Sequence, residues 1–294
     1  LDDNMLRNKI ILTFNREKLN PEYKEIFGIK PGKNETINRV GRETISYYWT
    51  NTIRPEALLD IYREDNENKV SDLYAHVLAA VDSTAEELIS LVDNDLLVAV
   101  KKNFEHQLIP IPRLLIGIKT NNPERLKAII EKLTEYYNIP ITKQKYKGID
   151  INLWGGVIGV EDLQPTFAMI GNYLVIASNR GQIREFISIP NSHDSLEKSE
   201  RFQEVDDGMK EKNNSVSYLN FSEMTKLIQE ITSWAGTMVA LQDRETARKT
   251  KILIDELINP LLDGLAMYTD VGMRSYIQGD SLVLESFTTI ESGI

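Results

Sequence analysis

The sequence predicts an α+β protein: units of antiparallel or mixed sheet packed with amphipathic helices, duplicated along the chain and preceded by a mainly helical N-terminal part. Three observations carry this. Gly171-Asn172 separates two apolar runs, Thr166 to Ile170 and Tyr173 to Ala177, as a tight hairpin requires. Cap residues stand in front of apolar positions spaced at helical intervals, as at Asn122-Pro123 before Leu126, Ile129, Ile130 and Leu133. Strand, hairpin and capped helix recur about three times without an exact repeat period. The expected division is residues 1–82, mainly helical, and residues 83–294, an α+β domain of repeated strand-helix-hairpin units.

In the first part, Leu6, Ile10, Ile11 and Phe14 share one helical face, and Ile45, Tyr48, Trp49 and Ile53 another. Pro55 is expected to open a further helix through Leu58, Leu59 and Tyr62. Gly28 to Asn34 between them, rich in Gly and Pro, is a loop. From Ser83 the pattern changes. Ser83-Thr-Ala-Glu86 reads as a capping box, with Leu88, Ile89 and Val92 as the buried side of its helix. Asp93-Asn94-Asp95 stops it, and Leu96 to Val100 and Arg113 to Thr120 follow as paired strands. Asn122 caps a helix with Pro123 at its first position, where a missing amide costs nothing.

Lys147-Gly148 turns the chain into Ile149, Ile151 and Leu153, which alternate as in a half-buried strand and end at Gly155-Gly156. After the Gly171-Asn172 hairpin, Ser178 is the expected cap of a helix carrying Ile183, Phe186 and Ile187. A polar helix around Phe202 and Val205 closes at Asn213-Asn214. Val216 to Leu219 is a strand, and Asn220 or Ser222 caps the helix of Met224, Leu227, Ile228 and Ile231. A long helical stretch runs to about Ile258, where Pro260 ends or kinks it. Strands near Leu265 to Thr269 and Met273 to Ile277, a Gly279-Asp280 turn and Ser281 to Thr288 complete the chain.

Composition narrows the function classes. With 294 residues the chain is long enough to bury about 75% of its unfolded surface. A net charge of −10 with scattered Lys and Arg repels a phosphate backbone, so nucleic acid is not an expected partner. An anionic membrane surface is disfavoured for the same reason. Apolar runs such as Leu96 to Val100 are too short to span a bilayer, so no direct membrane insertion is expected. The absence of cysteine removes disulfides, thiolate metal sites and cysteine nucleophiles together. Residue 1 is Leu, which fits a removed N-terminal anchor or an excised piece of a longer chain. Asn34, Asn213 and Asn220 each begin an Asn-x-Ser/Thr pattern, meaningful only in a eukaryotic secretory setting.

No reactive constellation emerges, and no catalytic, cofactor-binding or metal-ligating residue is assigned. Gly28 to Asn34 approaches a phosphate-binding loop, but its glycines are one residue too close and Asn34 replaces the magnesium-binding hydroxyl; it reads as an exposed turn. Gly155-Gly156-Val-Ile-Gly159 lacks dinucleotide spacing and reads as a loop. His76, His106 and His193 are scattered, without metal-ligand spacing. Ser178 is better explained as a helix cap than as a nucleophile. Asp93 with Asp95, and Glu86 with Glu87, are better explained by turn chemistry and the helix dipole than as acid–base pairs. Tyr47-Tyr48-Trp49, Trp154 and Trp234 are assigned to core packing rather than to a ligand cleft.

Thr166 to Ser178, then Ser195 to Phe202 and Ser215 to Asn220, with Tyr146-Lys-Gly148 and Gly279 to Leu284, together resemble a large uncharacterised bacterial family of exported or membrane-anchored proteins. The resemblance runs from about Ser83 to the C-terminus. It implies a bacterial origin, an extracytoplasmic site in the periplasm or cell envelope, and a removed anchor; it supplies no active residues. The expectation is a non-catalytic envelope protein that binds or scaffolds, with a protein partner or self-association through sheet edges. The alternatives are a carrier of an apolar ligand such as a lipid, and an unrecognised carboxylate-based hydrolase.

Overall fold

The structure is a computed structural model that describes residues 4–56, 78–102, 110–155, 164–242, 244–265 and 267–291. In chain order the strands are β1 (Met5–Thr13), β2 (Gly32–Lys33), β3 (Thr44–Thr50), β4 (Val92–Lys101), β5 (Arg113–Thr120), β6 (Ile141–Tyr146), β7 (Ile149–Trp154), β8 (Thr166–Ile170), β9 (Tyr173–Ala177), β10 (Lys212–Asn213), β11 (Ser215–Asn220), β12 (Tyr268–Gln278) and β13 (Ser281–Ile290). The helices are α1 (Pro21–Ile26), α2 (Ala85–Ser90), α3 (Pro123–Tyr136), α4 (Arg180–Ser188), α5 (Glu200–Val205), α6 (Phe221–Gln242), α7 (Arg244–Leu253) and α8 (Asn259–Leu265).

Eleven strands form one antiparallel sheet in the order β1-β13-β12-β11-β3-β4-β5-β9-β8-β7-β6, and β2 and β10 make a separate short pair. The fold class is α+β. Strands from both sides of residue 82 interleave, because β3 lies between β11 and β4. One face of the sheet carries the main core. Tyr47, Trp49, Leu97, Val175, Val216 and Tyr218 point into it from the strands, and Phe186 of α4 and Phe202 of α5 close over them. Gly272 of β12 lets α5 lie close: a Cβ there would fall 2.7 Å from the Val205 carbonyl oxygen.

The N-terminal helices expected at Leu6 to Phe14 and at Ile45 to Ile53 are corrected to strands β1 and β3. In β3, Ile45, Tyr47 and Trp49 are buried while Tyr48 faces outward, a period of two that the β-branched and aromatic composition favours. β1 is an edge strand exposed along almost its whole length, so no alternation marks it. Among the described residues before 83, α1 and short 3-10 turns remain helical, with a last helical turn at residues 78–81. The helix expected after Pro55, with Leu58, Leu59 and Tyr62, lies outside the described residues.

The local signals after residue 83 translate with small shifts. Thr84, not Ser83, accepts the Glu87 amide as N-cap of α2, while the Ser83 hydroxyl donates to the Glu87 carboxylate at 2.7 Å. The helix ends at Ser90, so Val92 and Asp93-Asn94-Asp95 belong to β4, which bulges there: four steps from Val92 to Leu96 face two from Thr120 to Ile118. Asn122 caps α3. Lys147 (φ 49°) and Gly148 (φ 84°) both adopt the left-handed region that a tight hairpin between β6 and β7 demands. Asn179, not Ser178, caps α4; the Ser178 hydroxyl instead accepts the Leu114 amide. Asn220 caps α6 through the Glu223 amide. Pro260 kinks rather than ends the helical run: a π-helical turn at Ile254–Ile258 absorbs the break, and α8 continues beyond it. The two short strands expected between Leu265 and Ile277 are one strand, β12, with an irregularity between Tyr268 and Val271.

Candidate functional site

Among the described residues, no group of three or more His, Asp or Glu is placed to hold a metal ion. His193 is exposed on the loop after α4, and His76 and His106 lie outside the described residues. Gly155 ends β7, and Gly156 and Gly159 are outside them as well. The Gly28 to Asn34 segment is exposed only in part. Asn34 is buried, and its Oδ1 accepts from the Thr36 amide and hydroxyl and from the Tyr47 hydroxyl. Asn213 and Asn220 are buried too, so all three Asn-x-Ser/Thr patterns spend their asparagines on internal hydrogen bonds.

Two carboxyls enter the core, which sequence reasoning did not foresee. Asp95 accepts from Trp49 Nε1 at 2.7 Å and from the Tyr173 hydroxyl. Burial pushes its carboxyl above the usual range, against the pull of those two donors. Asp270 accepts from the Tyr218 hydroxyl at 2.6 Å, and burial raises its carboxyl in the same way. The phenols of Tyr47, Tyr173 and Tyr218 are all pushed up, first by burial. Such acids, donated to by aromatic side chains within the core, answer the demand that buried polar groups be paired. Asp93 stays outside and pairs with Lys119. Glu87 pairs with Arg125 at 2.7 Å.

A polar cleft of about 540 Å³ opens near α5, lined by Arg42, Lys198, Arg201, Glu43, Glu200 and Glu223 among others. A carboxylate-based hydrolase would need one raised carboxyl here. Glu223 runs the other way: the Lys226 ammonium, at 2.8 Å, holds it below its ordinary range, so it is not poised to donate a proton.

The third location is the sheet face opposite the core. Strand alternation places Ile10 of β1, Leu284 of β13, Met273 of β12, Ser217 of β11 and Tyr48 of β3 there, and together they line a groove of about 350 Å³. Ile10, Tyr48 and Met273 are 54%, 42% and 45% exposed, so this half of the sheet has no complete cover among the described residues. Ser215, Ser217, Ser275 and Ser286 supply the floor, and the Ser215 and Ser275 hydroxyls bond each other at 2.6 Å. Small side chains on adjacent strands leave a channel that Val or Leu would fill. Of the aromatic residues assigned to the core, Tyr47 and Trp49 lie there and Tyr48 does not. Trp154 packs on Phe167 with ring centroids 4.8 Å apart, and Trp234 is half-buried on α6. The signal that sequence reasoning passed over was Ser-x-Ser in β11 opposite Tyr48. A second exposed apolar line, Leu253, Leu257 and Leu261, runs along α7, the π-helical turn and α8.

No described helix is long and apolar enough to cross a membrane. These features define an α+β protein built on one broad antiparallel sheet, closed on one face and, among the described residues, open over part of the other. The chain belongs to an uncharacterised family, that of the protein of unknown function DUF3352, whose family model matches residues 92–253. The hairpin at Gly171-Asn172, the Ser195 to Phe202 and Ser215 to Asn220 segments and Tyr146-Lys-Gly148 all fall within that match. Gly279 to Leu284 falls beyond it. No curated protein matches the chain. Among solved structures, crystal form III of TP0453 is similar with a TM-score of 0.37 and 10% identity, covering 89% of this chain and 94% of that one. Crystal form I of TP0453 gives the same TM-score and identity over 88% of this chain.

Proposed function

We propose that this protein is a non-catalytic component of the bacterial cell envelope, extracytoplasmic in location, that acts by binding or scaffolding through the open face of its sheet. The observation that carries the reading is the groove between Ile10, Tyr48, Met273 and Leu284, where large apolar side chains stand about half exposed around a serine floor. The resemblance to exported proteins supports the location. The internal pairing of Asp95, Asp270 and Glu223 weighs against a hydrolase, because each carboxyl that the fold perturbs already serves a neighbouring side chain. The asparagine caps at Asn122, Asn179 and Asn220, each accepting the third helical amide after a strand, support descent from duplicated units.

The same groove favours one second reading, a carrier of an apolar ligand such as a lipid. Native mass spectrometry of protein purified from its source separates the two. A co-purifying small mass that disappears in the Tyr48→Asp, Met273→Asp double variant is the carrier's signature. A bound protein lost in that variant is the scaffold's. If neither is found, and the double variant behaves as the parent in cross-linking and mass, the open face is not the working surface.

A further inference from the structure

We infer that β1 is a self-association edge: two copies of this chain pair β1 to β1 in antiparallel fashion about a twofold axis at Ile10. This goes beyond the binding reading and stands or falls separately from it. β1 pairs with β13 over nine consecutive residues, Met5 with Thr289 through Thr13 with Ser281, without a register shift. Its other edge meets no strand among the described residues. Such an edge presents a row of free amides and carbonyls to any second strand, and folded proteins blunt it with proline, bulges or charge. β1 has no proline and no bulge. Its two cations are held by its own molecule, Arg7 by Asp207 and Lys9 by Glu285, each at 2.8 Å. Leu6, Ile10, Ile11 and Leu12 are 47%, 54%, 56% and 51% exposed, on both faces of the strand. The far edge of the sheet is built differently. There β6 follows Pro140 and carries exposed Lys145, with Lys143 held by Glu131 at 2.8 Å. A contact of β1 on β6 would be head-to-tail and leave edges free for further copies, whereas pairing of like edges closes.

Charge selects the partner and the register. A twofold axis perpendicular to the sheet pairs residues of the same face. Centred on Asn8, it sets Arg7 against Lys9; centred on Lys9, it sets Lys9 on itself. Like charges directly opposite destabilise a pair. Centred on Ile10, it matches Arg7 with Thr13, Asn8 with Leu12, Lys9 with Ile11 and Ile10 with itself, and no cation meets a cation. A centre further along leaves fewer residues paired. The strand is therefore complementary to its own copy. The pairing brings together the two open-face grooves, each lined by Ile10 and Asn8 of its own chain.

The absence of cysteine gives a direct test. In the full chain, Ile10→Cys places two thiols opposite each other at the axis, with Cβ atoms about 4.5–5.5 Å apart, within reach of a disulfide after small adjustment. Asn8→Cys places them four residues out of step. Under mild oxidation Ile10→Cys is expected to give a covalent dimer and Asn8→Cys to remain monomeric on non-reducing gels. Sedimentation of the parent is expected to show a concentration-dependent dimer, and Ile10→Lys to shift its dissociation constant upward at least tenfold. Equal cross-linking at both cysteines, a monomeric parent at every concentration, or a dimer indifferent to Ile10→Lys would each overturn the inference. Should Ile10→Lys fail to fold, the two cysteine variants still decide it.

Discussion

Removing the hydroxyl of Tyr218 isolates what one buried acid–phenol pair contributes. Tyr218→Phe deletes a single oxygen and keeps the ring, which packs edge-on against Phe202 at a centroid distance of 5.6 Å. Asp270, 2% exposed, then loses the donor that sits 2.6 Å from its Oδ1. A hydrogen bond to a charged group contributes about 1.5–3 kcal/mol, and a neutral one about 0.5–1.5 kcal/mol. The variant is expected to lose about 1.5–3 kcal/mol where the carboxyl is charged and about 0.5–1.5 kcal/mol where it is protonated, the larger loss being a fall in Tm of about 3–6 °C for a chain of this size. The pH dependence follows from the direction of the shift. Burial holds the folded carboxyl above its unfolded value of 3.8, so Asp270 favours folding most when protonated, and that contribution is lost as pH rises through the folded pKa. The phenol's hydrogen bond offsets the loss by stabilising the ionised form. Deleting it should therefore cost more as the pH rises through the folded pKa, and so more at pH 8 than at pH 4. Differential scanning fluorimetry at both pH values tests this. An unchanged Tm at pH 8, or a larger loss at pH 4, would refute the argument.

Phe202→Ala empties a fully buried site between α5 and the sheet and should cost about 3–5 kcal/mol, read as a lower guanidinium midpoint with an unchanged slope. Glu87 is held below its ordinary range first by the Ser83 hydroxyl and then by Arg125. Its stabilising contribution is thus present above the unfolded pKa of 4.5 and fades as pH falls through the folded value; Ser83→Ala should move its carboxyl titration upward by NMR, and an unmoved titration would remove the hydroxyl from the account.

How much was legible depended on whether local chemistry or the neighbouring chain decided each element. Gly171-Asn172 and Asn122-Pro123 carry their instructions in the backbone itself, and the hairpin and the helix begin where those residues put them. Ser83 and Ser178 missed their cap positions by one residue because an adjacent Thr84 and Asn179 do the same work with better placement. β1 was unreadable for a different reason. An edge strand exposed on both faces has no burial to imprint a period of two, so Leu6, Ile10 and Ile11 match a helical spacing by chance. Asp95 could not be anticipated as buried, since the bulge that turns it toward Trp49 exists only once β4 has paired with β5.

The open face itself is written in the strands, though it takes the pairing to read it. In β8 and β9, Phe167 and Leu174 on the side away from the main core are 1% and 6% exposed, and both strands are continuous apolar runs, as burial on two sides requires. In β11 the positions on that same side are Ser215, Ser217 and Leu219, and the neighbours of the two serines across β12 and β3 are Ser275, Met273, Thr50 and Tyr48. Around Ser215 and Ser217, opposite the inward-facing Val216 and Tyr218, no second layer lies over the strand among the described residues. Packing among the described residues then leaves the large apolar residues beside those serines unexplained. That is the physical ground for seeking what touches this protein at Ile10, Tyr48 and Met273 rather than in its polar cleft.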